Sequence, residues 1–114
     1  MATDKSLLTG SATLLILRLL EGGDMYGYQM TEELARRSDQ TFSLKAGTLY
    51  PLLHTLERQG MITSYEQEAG GRVRKYYRLT PGGKGLLQEK KEEWNLFSSA
   101  VNKVLEGGAC LVYA

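Results

Sequence analysis

Five basic side chains, Arg72, Arg74, Lys75, Arg78 and Lys84, stand within the twenty residues from Ala69 to Gln88, a stretch without a single Asp or Glu. Cations gathered in this way attract anions, and a nucleic-acid backbone is the polyanion that best rewards a local basic strip. The same composition also suits a solvated basic hairpin, so the fold around the strip has to decide between the two. The surplus is local: fourteen Lys and Arg against thirteen Asp and Glu leave a formal charge of +1. Residues 1–57 carry five basic and seven acidic side chains, whereas residues 58–114 carry nine and six. Nucleophilic chemistry finds no comparable support. His54 is the only histidine and Cys110 the only cysteine, and no Ser/His/Asp or Cys/His spacing gives either a partner. Gly82-Gly83-Lys84-Gly85 lacks the spacing of a phosphate-binding loop. A lone thiol and a lone imidazole cannot assemble a multi-ligand zinc site or close a disulfide within one chain. The expectation is a protein that is not an enzyme, holds no metal or cofactor, and resides in a reducing, cytoplasmic setting.

The strip needs elements to position it, and glycine pairs mark where those elements stop. Leu7, Leu8, Ala12, Leu15, Ile16, Leu19 and Leu20 recur at helical spacing before Gly22-Gly23, which predicts a first helix over about Ser6 to Glu21. It is apolar nearly all round, so a partner subunit is expected to cover part of it. Asp24 is placed to cap a second, amphipathic helix from about Tyr26 to Arg37. Leu49, Leu52, Leu53 and Leu56 predict a third over about Gly47 to Gln59, stopped by Gly60, with Pro51 arguing for a start near Thr48. Ile62 to Glu68 and Val73 to Leu79 are strand-like, and the intervening Ala69-Gly70-Gly71 supplies a hairpin loop. Thr80-Pro81 opens a last helix, which continues to about Glu106 and carries a stripe of Leu87, Trp94, Phe97, Val101 and Val104.

A chain of 114 residues with 42% hydrophobic and 24% charged side chains is ordinary globular material, enough for one compact domain. Its longest apolar stretch, Leu14 to Leu20, is broken by Arg18 and falls well short of the roughly 20 residues a membrane span requires. The opening MATDKSLLTG shows no export signal. The fold class is therefore mainly α with a small β-hairpin. Three short helices followed by a hairpin is the order of a winged helix-turn-helix, here extended by a long C-terminal dimerisation helix. The expected units are residues 1–80 for the winged part, 81–106 for the last helix, and 107–114 for a tail of unassigned role. In such a fold Lys45 and Thr48 sit where the third helix begins, an end whose free N–H groups and dipole favour phosphate.

These segments resemble the PadR-like family of transcriptional regulators. Met25-Tyr26-Gly27-Tyr28 is similar to that family's second-helix opening, and Leu44 to Leu53 (LKAGTLYPLL) to its recognition-helix motif. Leu56 to Ile62 (LERQGMI) leads into the wing, and Gly71 to Thr80 (GRVRKYYRLT) continues it, so the resemblance spans roughly residues 7 to 106. It implies a homodimeric repressor of double-stranded operator DNA, released by a small molecule or partner signal, with the first and last helices forming the dimer interface. The resemblance is to the family's shorter subgroup, whose members have a single helix after the wing. The tail Gly107 to Ala114 departs from that pattern.

Residues expected at DNA are Lys45, Thr48 and His54 on phosphates or base edges, and Arg72, Arg74 and Lys75 on the backbone, where contacts position rather than read. Tyr50 either touches DNA or packs its helix. Leu8, Leu15, Trp94, Phe97, Val101 and Val104 are the expected dimer interface, and Trp94 could also stack on a planar aromatic effector. A winged-helix module that binds an acidic protein instead of DNA is the competing reading.

Overall fold

In the computed structural model, which describes residues 5–107, seven elements follow one another. They are α1 (Lys5–Glu21), β1 (Met25–Tyr26), α2 (Gly27–Arg37), α3 (Ala46–Arg58), β2 (Ile62–Ala69), β3 (Arg72–Leu79) and α4 (Pro81–Gly107). The unplaced apolar tail, Cys110 to Tyr113, lies outside the described residues. β2 and β3 pair antiparallel from Ile62 opposite Leu79 to Ala69 opposite Arg72. The turn between them is Gly70-Gly71 alone, with φ of 62° and 80°, the left-handed pair a tight two-residue hairpin demands. Alternation sends Ile62, Tyr77 and Leu79 inward, where they join Ile16, Leu17, Leu20, Met30, Leu34, Leu49, Leu53, Leu56 and Leu87 in one buried cluster.

Several local expectations change. The hairpin has a third strand: Met25 and Tyr26 pair with Tyr77 and Tyr76, giving the order β1-β3-β2. Asp24 therefore precedes a strand and does not cap α2. The cap position falls to Tyr26, whose N–H donates to Gln29 Oε1 at 3.0 Å, and Asp24 turns to the sheet instead. α3 begins earlier than Pro51 suggested. Lys45 is extended (φ −89°, ψ 158°), and its carbonyl accepts from the N–H groups of Thr48 and Leu49, each at 2.9 Å. Pro51 thus lies in the second turn. Its missing N–H orphans the carbonyl of Gly47, an exposed residue that solvent can serve. The cover for α1 also differs. Ala12, Ile16, Leu17, Leu19 and Leu20 are all buried within the subunit because α2, β3 and α4 pack around them. The surplus of α1 shrinks to Leu7 and half-buried neighbours near its start.

Thr80 caps α4 as its sequence suggests: Oγ1 accepts from the N–H of Gly83 at 3.0 Å and donates to the carbonyl of Gly60 at 2.6 Å. Past Leu87, α4 runs on beside α1, with Lys91 next to Glu21, and its distal turns project from the body, which stretches the molecule to 66 × 32 × 21 Å. The radius of gyration of 17.1 Å exceeds the roughly 13 Å of a compact chain this long, and the excess is the projecting helix.

Candidate nucleic-acid interface

The exposed side of α3 starts at Lys45, in the N-cap position, and continues through Thr48, Pro51, His54 and Arg58 at spacings of three and four. Buried Leu49, Leu53 and Leu56 hold the opposite side on the core. Lys45, His54 and Arg58 have no ion-pair partner among the described residues. Arg58 was not singled out in the sequence, although it sits one turn beyond His54 on the same face. Tyr50 is partly exposed, and its hydroxyl occupies the space above Gly27, where a Cβ would stand 2.2 Å from the phenolic oxygen. The residue thereby sets the spacing of α2 and α3, and position 27 must be glycine for that contact to exist. Beside it Tyr28 is openly exposed, and with Tyr50, Leu44 and Leu49 it lines a small cleft between the two helices.

The basic end of α2 is partly neutralised. Glu33 accepts from both Arg36 and Arg37, and these hydrogen bonds hold its carboxyl down at about 2.

On the wing, acids distant in sequence meet the basic strip. Glu57 of α3 lies 3.8 Å from Lys75 Nζ and accepts from the Ser64 hydroxyl at 2.6 Å, so Lys75 points to the inner face and is partly neutralised. Arg78 Nη2 lies 2.9 Å from Asp24 Oδ2, which also accepts from the Tyr65 hydroxyl at 2.6 Å. Partial burial pushes the Asp24 carboxyl up, but Tyr65 and Arg78 outweigh it and hold the group below its ordinary value. Burial raises the Tyr77 phenol, with Glu57 and Tyr50 adding to it. The absence of acids in the linear stretch is therefore not an absence in space. Arg74 sits 4.5 Å over the Tyr26 ring, and Arg72 at the tip is exposed with no ion-pair partner among the described residues.

At the far end, Trp94, Phe97, Val101 and Val104 are exposed, with Trp94 at 47% and Val104 at 78%. Leu96 and Leu105, absent from the expected stripe, are as open, and Leu87, included in it, is buried in the subunit's own core. Leu8 and Leu15 are half-buried against that core. Between α1 and α4 a groove of about 480 Å³ is lined by Leu7, Gly10, Leu14, Glu93, Trp94 and Phe97 among others, the two rings 6.2 Å apart.

Among the described residues no helix is long and apolar enough to cross a membrane. Residues 16–89, more than half of the chain, match the model of the transcriptional regulator PadR-like family. A transcriptional regulator from Mycobacterium tuberculosis, Rv3488, is 37% identical over 76 residues, which cover 67% of this chain and 68% of that protein. A transcriptional regulator from Clostridium thermocellum superposes with a TM-score of 0.80 at 37% identity, covering 86% of this chain and 96% of that one. A PadR family transcriptional regulator from Eggerthella lenta gives 0.78 at 36% identity, over 89% and 87%. The long single helix after the wing matches the shorter architecture of the family. The chain belongs to the PadR-like family of transcriptional regulators, DNA-binding proteins and not enzymes.

Proposed function

We propose that the protein works in the cytoplasm as a homodimeric repressor that lays two α3 helices into successive major grooves of a two-fold operator, about 34 Å apart along the duplex. Lys45, Thr48 and His54 contact phosphates and base edges, Tyr50 holds α3 at its angle, and Arg72, Arg74 and Lys75 grip the flanking backbone. Lys75 contributes least, because Glu57 already engages it. The distal half of α4, with Trp94, Phe97, Val101 and Val104, packs against a second copy, and Leu8 and Leu15 support the α1 side of that interface. A small planar aromatic molecule entering the groove beside Trp94 releases the operator by changing how the two copies meet.

The observation that carries this reading is the segregation of unsatisfied surface. Of the cations without ion-pair partners among the described residues, Lys45, Arg58, Arg72 and Arg74 gather on α3 and the wing and Lys84 and Lys103 stand apart on α4, while the open apolar side chains from Trp94 to Leu105 belong to the far end of a 66 Å molecule. Anion and apolar partner are thus sought in different places. The test is a duplex titration at two salt concentrations. Affinity should fall steeply with salt, each lost phosphate contact lowering the log–log slope by about 0.9. Arg72→Ala with Lys75→Ala should weaken all duplexes alike, and Thr48→Ala should alter preference among them. A folded dimer whose duplex affinity ignores salt, and which binds an acidic protein saturably, would assign the wing to a protein partner. Quenching of the single tryptophan by planar aromatic compounds, with loss of DNA, would support the effector site.

A further inference from the structure

The backbone connection between wing and body is slight. β1 offers only Met25 and Tyr26, and the distal half of the hairpin, from Glu66 opposite Lys75 to Ala69 opposite Arg72, has no third strand beside it. A two-stranded ribbon is marginal by itself and takes a strong, variable twist. Side chains must set its angle, and on the outer face one carboxylate gathers them. Asp24 Oδ2, in the turn after α1, accepts from the Tyr65 hydroxyl of β2 at 2.6 Å, and from Arg78 of β3 at 3.0 Å (Nε) and 2.9 Å (Nη2). Arg78 lies 5.1 Å over the Tyr65 ring, which stacks on Tyr76 at 5.7 Å. Tyr76 meets Tyr26 edge-on at 5.3 Å, and Arg74 covers Tyr26. The run of contacts begins on the body at Asp24 and ends on the wing cation Arg74. It uses the face of the sheet opposite Ile62, Tyr77 and Leu79, so the buried core is not involved.

We propose that Asp24 is a positioning residue for DNA binding: by holding Tyr65 and Arg78 together it fixes the angle at which the wing presents Arg72 and Arg74 to phosphate, without touching DNA itself. The proposal rests on the reading of the wing as a phosphate-gripping element. Electrostatics gives it a discriminating sign. Asp24 is an acid beside a basic surface, and long-range attraction alone would make its neutralisation strengthen DNA binding. Positioning requires the opposite.

The experiment compares full-length dimers on the duplex that the unmodified protein selects from a randomised library, at fixed salt and at a temperature where circular dichroism shows every variant folded. Asp24→Asn is expected to weaken binding about tenfold, and Tyr65→Phe, which keeps the ring stack and loses the donor, about threefold. In a background already lacking the wing cations, Arg72→Ala/Arg74→Ala, adding Asp24→Asn should cost little more. Unchanged or tighter binding by Asp24→Asn with an intact wing overturns the proposal. So does an equal loss in both backgrounds, because a merely structural role would be indifferent to the wing cations. If Arg72→Ala/Arg74→Ala by itself binds like the unmodified protein, the reading of the wing has failed, and that result stands apart from the Asp24 measurement.

Discussion

The first turns of α4 and its last ones contain similar apolar residues and end in opposite surroundings. At the near end, Gly83 and Leu87 are buried, and Thr80 ties the helix start to Gly60. At the far end, Trp94, Leu96, Phe97, Val101, Val104 and Leu105 are all exposed. The difference teaches what each end is for. The near end is closed by residues of its own subunit and spends its apolar surface on folding. The far end leaves its apolar surface open, as the proposed pairing with a second copy requires.

The sharpest way to break this contrast is to add one methyl group at the near end. A Cβ on Gly83 would stand 2.0 Å from the carbonyl oxygen of Met61 and 2.6 Å from Leu79 Cδ1, contacts that force helix and strand apart. Gly83→Ala should destabilise by about 2–4 kcal/mol, well above the typical point mutation. Gly85, two residues on, has open space around its missing Cβ. Gly85→Ala should therefore stabilise by about 0.5–1 kcal/mol, the ordinary helical gain. Urea midpoints of the two variants should move in opposite directions. A Gly83→Ala midpoint that stays put or rises with that of Gly85→Ala would show that the near end is not sterically closed.

At the far end the expected loss is of association and not of folding. Phe97→Asp with Val101→Asp buries charge in any interface they share and should raise the dimer dissociation constant at least 100-fold, about 2.7 kcal/mol. Sedimentation should show monomers that keep their helical circular dichroism. Unfolded material, or an undisturbed dimer, would mean that this stripe does not carry the pairing.

Much of this contrast was legible in the sequence. The 3.6-residue spacing of Leu49, Leu53 and Leu56, the threonine-proline opening of α4 and the glycine pair at the hairpin all act locally, and each placed its element within a few residues. What was missed depends on tertiary partners. Met25-Tyr26 is too short to announce a strand, and it becomes one because the β3 edge lies beside it. Asp24 resembles a cap by type and place, yet β1 intervenes and the cap position falls two residues later at Tyr26, leaving the carboxylate to Tyr65 and Arg78. The acid-free strip from Ala69 to Gln88 is real in one dimension, but Glu57 and Asp24 arrive from elsewhere in the chain. The apolar circumference of α1 implied a partner, whereas three elements of the same subunit already bury most of it.

An acid titration bears on the contrast from the side of the body. The Asp24 carboxyl is held below its ordinary value in the fold, so its contribution to stability is complete above the unfolded carboxylate range. It is lost as pH falls through the depressed value. Stability of the unmodified protein should decline toward acid more than that of Asp24→Asn, and the two curves should converge at the lowest pH. The unfolding of monomeric Phe97→Asp/Val101→Asp should show the same convergence, because the contacts of Asp24 with Tyr65 and Arg78 lie away from the far end of α4. Curves that stay parallel would remove Asp24 from the balance.

The smallest expected effect lies where the two ends of α4 meet. Lys91 Nζ is 3.5 Å from Glu21 Oε1, one turn past buried Leu87, and joins α4 to the end of α1. Both side chains are about 40% exposed, and Arg18 stands at the same distance from the same oxygen, so Glu21 keeps a cation when Lys91 is removed. Exposed pairs of this kind contribute about 0–1 kcal/mol. Lys91→Ala should therefore lower the urea midpoint only slightly, and the difference should vanish at high salt as screening shortens the reach of the pair. A salt-insensitive loss of about 2 kcal/mol or more would mean that the closed end extends further along the helix than Leu87. The division between a folding end and an associating end would then have to move toward Trp94.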